Sequence, residues 1–135
     1  MPVIEDFSNA SSRYLYDANL LLEQTRFATA DHLFGVSAEC ALKAIMVALS
    51  GTANLPKRYK IHLPNIWDEF IAYMPSSGTN AYASLLAANP FASWDVGDRY
   101  GHDTAFTQAR VNEHREAALQ AQRVLEQARL DGRLI

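Results

Sequence analysis

The stretch ADHLFGVSAECALKAIMVALSG, residues 30–51, contains no proline and sets Ala30, Phe34, Ser37, Ala41, Ile45 and Ala48 at spacings of three and four. Residues so spaced fall on one face of an α-helix, where they form an apolar stripe. Thr29 offers a hydroxyl for the helix start and Gly51 a residue that can turn left-handed at its end. The spacing predicts a long helix whose stripe is apolar enough to make it the most buried element of the chain.

Working outward, residues 8 to about 25 are rich in Ala, Leu, Glu and Gln, with Tyr14, Ala18, Leu21, Leu22 and Thr25 in helical register. This predicts a first helix, joined to the second over residues 26–28. On the other side, GTANLPKRYKIHL, residues 51–63, carries Gly, Pro and a basic cluster and reads as a loop. Pro64 suits the first position of a third helix running to about Met74, with Ile66, Trp67, Phe70, Ile71 and Tyr73 as its apolar content. PSSGTN, residues 75–80, interrupts it, and a short helix is expected over 81–88 before Asn89 and Pro90. After WDVGDRYGHD, residues 94–103, either Asp103 or Thr104 can cap a long final helix to about Leu130. Its apolar face is Val111, Ala118, Ala121, Leu125 and Ala128. No stretch alternates with period two, so the expected class is all-α, an up-and-down bundle of about four to five helices.

The 135 residues, 49% of them hydrophobic, suit a single domain over residues 1–135. A formal charge of −3 gives no global attraction to nucleic acid, so such binding has to come from a local basic patch. The amino-terminal MPVIEDFSNASSRY lacks the charged start and apolar core of a secretory signal, and no apolar run is read as reaching the ~20 residues of a membrane span. The expectation is a cytosolic protein without membrane contact. Cys40 is the lone cysteine and, inside an apolar stretch, reads as a small hydrophobe.

Four groups of side chains could carry chemistry. Arg99 and His102, separated by Tyr100 and Gly101, could hold one phosphate; alternatively Arg99 pairs with Asp95, Asp98 or Glu39 and locks the loop. Glu39 and Lys43 stand at i, i+4, as a helical ion pair, and Arg99 is the expected partner of a buried Glu39. Arg110 and His114 share a face of the last helix, where His114 is in register with the apolar stripe and is expected to pack. Lys57, Arg58, Lys60 and His62, with Tyr59 among them, suit phosphates and a stacked base, or form a solvated loop. Asp95, Asp98, His102 and Asp103 could supply metal ligands, but zinc-site spacings are absent, and so are glycine-rich phosphate loops; no metal or cofactor is expected.

Together, Ala38, Glu39 and Lys43 with Leu42 and Ile45, the basic loop ending at His62, and Arg99-Tyr100 before the last helix resemble the HEPN superfamily over residues 10–128. The resemblance implies a bundle of four to five helices, commonly a symmetric homodimer, whose groove brings Arg and His to RNA or nucleotide phosphate. Some members are metal-independent ribonucleases in which four to six residues separate an Arg from the His that follows it. Here positions 104 to 106 after Arg99 are Thr, Ala and Phe, and His114 stands one residue short of that spacing from Arg110. The implied function is therefore a non-catalytic module binding nucleotide, RNA or a protein partner through Arg99, Tyr100, His102, Glu39, Lys43, Arg58, Lys60 and His62. The alternatives are a toxin-like ribonuclease using Arg99 or Arg110 with His102 or His114, and an assembly protein in which Arg99 is consumed by carboxylates. Trp67 and Trp94, expected to be exposed, and the Ala-rich last helix favour a homodimer.

Overall fold

The structure is a computed structural model that describes residues 3–51, 54–76, 82 and 88–133, with 74–76 described by their backbone. Among the described residues there are four α-helices and no strand: α1 (Phe7–Glu23), α2 (Phe27–Ser50), α3 (Asn65–Ser76) and α4 (Gln108–Leu130). Short 3-10 turns lie at Lys57–Tyr59, Val96–Tyr100 and Asp103–Ala105. The all-α bundle is as expected; the short helix expected over 81–88 falls largely outside the described residues.

Helix ends moved for physical reasons. α1 starts on Asp6, whose carboxylate accepts the Asn9 N–H at 2.9 Å, and stops where Thr25 turns left-handed (φ 57°). α2 then begins at Phe27 on Arg26, not on Thr29, because half-buried Phe27 packs on the core and its burial outweighs a polar cap. α4 is capped by Thr107, whose hydroxyl accepts the Arg110 N–H at 3.2 Å. Asp103 and Thr104, the expected caps, instead belong to a 3-10 turn that His102 caps, and buried Phe106 follows it. Pro64 precedes α3 and follows a cis bond from Leu63.

Ser8, Ser11 and Asn19 of α1 bond Arg129, Gln122 and Arg115 of α4, so the two helices run antiparallel. A three-residue joint turns α2 back along α1, which makes α2 and α4 parallel. Small residues let α1 and α2 approach: Ser11 and Ser37, both with no exposure, each donate to the other's backbone carbonyl at 2.8 Å. α2 is 24 residues long with a window of mean hydropathy 1.6, so by length and composition it could cross a membrane, contrary to the sequence reading. In the bundle it is the core helix, with 67% of that window buried.

Trp67 and Trp94 are 0% and 1% exposed, which corrects their expected place on the surface. Their rings meet Phe91, and with Phe34 and Phe70 they fill the space between α2, α3 and the loop before α4. Trp94 lies flat on α2 at Gly35, where a Cβ would stand 2.2 Å from indole Cε2. Any side chain there forces the indole out. Gly35→Ala should lower stability by about 2 kcal/mol or more, as expected of overpacking in a filled core. Urea unfolding measures it; an unchanged midpoint would show that Trp94 is free to move.

Candidate functional site

Asp31 has no exposure and gathers three segments. From α4, His114 Nδ1 sits 2.5 Å from Asp31 Oδ1 and Arg110 Nε–H donates to Oδ2 at 3.3 Å. From the preceding loop, Trp94 Nε1–H donates to the Asp31 backbone carbonyl at 3.2 Å. The rest of the Arg110 fork reaches the Ser93 carbonyl (3.1 Å) and Asp98 Oδ2 (2.9 Å), while its plane lies over the Phe106 ring. Asp98 Oδ2 also accepts the Asp95 N–H at 3.0 Å, which folds the loop into its 3-10 turn. His114, 1% exposed, stacks on Phe91 with ring centroids 5.0 Å apart. The second Arg and His of the sequence thus meet, but on a buried carboxylate.

Of the two placements the sequence left open for Arg99, the pairing with Asp95, Asp98 or Glu39 is not what the structure shows. Asp98 is taken by Arg110, Asp95 closes its own turn on the Gly97 N–H, and Glu39 faces another loop. The Arg99 guanidinium lies 4.8 Å from the centroid of the Tyr100 ring, and Tyr100 is 79% exposed. His102 is exposed on the same loop, its Nδ1 accepting the Thr104 N–H at 3.2 Å and lying 2.9 Å from the Thr104 hydroxyl and 3.2 Å from Asp103 Oδ1. Arg99, Tyr100 and His102 therefore share one open loop, without a direct bond between Arg99 and His102.

Glu39 is the second buried carboxylate of α2, at 7% exposure. Lys43 Nζ donates to it at 3.0 Å, the Leu63 N–H at 3.0 Å, and His62 Nδ1 stands 3.2 and 3.1 Å from its two oxygens. Glu39 and Lys43, expected among ligand-binding residues, are thus spent on each other and on anchoring the basic loop. Arg58 and Lys60 point outward with His62, Arg58 reaching Glu69 at 3.9 Å. Among the described residues no three His, Cys, Asp or Glu side chains are grouped to hold a metal. Cys40 is buried, and burial pushes its thiol up to about 11, which suits a packing role.

The sequence reading missed Asp31 and His32. A signal existed: Asp31 shares its stripe with Gly35 and Ala38, and a carboxylate over small residues on an apolar helix has to find a partner. His32 lies parallel to Trp94 at 5.8 Å, with a buried Nδ1 that makes no hydrogen bond among the described residues. Burial, and secondly the positive charge of Arg99, lower its pKa from 6.5, against the opposing pull of Asp31, Glu39 and Asp98. No protein-family model, no curated protein and no solved structure matches the chain.

Two outcomes follow from these placements. Asp31→Ala strands Arg110 and His114 beside a removed charge and should cost about 3–5 kcal/mol, whereas Arg99→Ala should stay within about 0.5 kcal/mol of wild type. Urea titration of both separates the buried structural charge from the exposed arginine. For His32, the unfolded chain binds a proton more readily than the folded one. Stability is therefore complete above pH 6.5 and drains as the pH falls from there toward the lower folded value. His32→Phe should flatten that acid limb, and an unchanged pH profile would exclude His32 as its source.

Proposed function

We propose that the protein is a non-catalytic HEPN-like module of the cytosol, acting as a homodimer, that binds a nucleotide or RNA through Arg99, Tyr100 and His102. A protein partner is the alternative occupant of the same loop. The observation that carries this reading is the division of labour between two arginines. Arg110 takes up Asp31 and Asp98, so among the described residues Arg99 has no carboxylate partner and lies over an exposed phenol. A planar fork of donors suits phosphate oxygens, and an exposed aromatic ring offers a face for a base. Arg58 and Lys60 add positive charge from the basic loop, with His62 exposed beside them.

The non-catalytic part of the reading is supported by the Arg110 and His114 pair. Its spacing comes nearest to that of the ribonuclease branch, yet its groups are turned inward onto Asp31. For self-association, the exposed apolar side chains include Val3 and Ile4 ahead of α1, Tyr16 and Leu20 on α1 and Leu130 on α4, in place of the two tryptophans.

Fluorescent single-stranded RNA and ATP, each titrated in chelator with cleavage followed on a gel, test the reading. Wild type should bind without cutting; Arg99→Ala should weaken binding roughly tenfold, the scale of one charge-assisted phosphate contact. Cleavage abolished by His102→Ala would replace this reading with a ribonuclease, and absence of binding to both probes would move the loop to a protein partner.

A further inference from the structure

We propose that His62 is a nucleophilic imidazole whose Nε2 accepts a phosphoryl group from a high-energy donor of the phosphoramidate or acyl phosphate class. The geometry starts at Glu39. Its oxygens face the Lys43 ammonium and the Leu63 N–H, each at 3.0 Å, and both donors require it to be an acceptor. A carboxylate so held has no proton to give, so the His62 nitrogen 3.1 Å away must carry one. The proton sits on Nδ1, and the lone pair of the neutral ring is left on Nε2. The His62 side chain is 61% exposed while that of Glu39 is 9% exposed, so the ring is oriented from below and open above.

This is the arrangement in which a carboxylate holds an imidazole in one tautomer and stabilises the cation formed during reaction. Attack by Nε2 on phosphorus forms a P–N bond and breaks the donor's P–N or acyl P–O bond, whose electron pair leaves with ammonia or a carboxylate. The Nδ1 proton stays on the ring, and the positive charge that develops there faces Glu39. Lys57, Arg58 and Lys60 lie on the same loop, so an incoming dianion meets positive charge. No electron transfer and no metal enter the step.

The chain contains its own control. His102 is also exposed, at 79% of its side chain, but its Nδ1 accepts the Thr104 N–H. Asp103 Oδ1 lies 3.2 Å from the same nitrogen and the Asp103 side chain is itself 82% exposed, so no buried carboxylate holds this ring in one tautomer. Of the two exposed histidines, the one oriented by a buried carboxylate should be the more reactive.

The test is incubation of the whole chain with potassium phosphoramidate at mildly alkaline pH, with intact mass and peptide mapping over time. One acid-labile phosphoryl group should appear on His62 roughly tenfold faster than on His102, and His62→Gln should remove it. Glu39→Gln should slow the reaction by a similar factor. Since that variant also loosens a loop anchor, long-range proton–nitrogen NMR of the wild type provides the independent readout, with Nδ1–H expected at His62. Equal or faster labelling of His102, no labelling at His62, or an Nε2–H tautomer at His62 would overturn the proposal. RNA binding is read separately and centres on Arg99, so either proposal can fail without the other.

Discussion

A fully buried negative charge dictates much of this molecule. Removing a carboxylate from water costs several kcal/mol unless cations and hydrogen bonds replace the lost solvent. Asp31 obtains both from α4, an element some eighty residues further along the chain (83 to His114). To reach it, Arg110 also has to lie against Ser93 and Asp98, so the loop before α4 is shaped by the same contact. Trp94, pressed onto the bare backbone at Gly35, bonds the carbonyl of that aspartate and completes the seat.

Eight residues along α2, or about 12 Å of helix rise, Glu39 repeats the device on another loop. The two carboxylates use histidine in opposite ways. His114 is turned inward, stacked on Phe91 and closed to solvent; His62 is turned outward and held only from beneath. Because each carboxylate fixes a loop by its backbone or by one committed side chain, the remaining cations of those loops stay outside. Arg99, Arg58 and Lys60 are exposed for that reason, and the surface chemistry of the protein is a by-product of its buried charges.

The helices were legible because the apolar residues of α2 and α4 recur at helical spacing over many turns, and Val111, Ala118, Ala121, Leu125 and Ala128 are all buried as that spacing requires. Helix starts were less so: Thr29, Asp103, Thr104 and Thr107 offer similar capping chemistry, and the choice fell to burial of Phe27 and Phe106, a long-range property. Of the site, the Glu39–Lys43 pair and the inward role of His114 were legible from spacing. The partners of Glu39 and Arg99 were not, since any of several charged loop residues could have met them and only the fold decides which loop crosses α2 at which turn. The tryptophans misled for a related reason: in loops and short helices, an aromatic ring carries no periodic mark of the side it will take.

The tie between Asp31 and α4 also orders the assembly of the chain in time. α1 and α2 form a local hairpin and can meet early, but their groove contains an unpaired carboxylate until residues 110–114 arrive. Contacts so distant in sequence form late, after the entropy of closing the intervening chain has been spent. The last helix is thus both the final piece and the one that makes the interior dry.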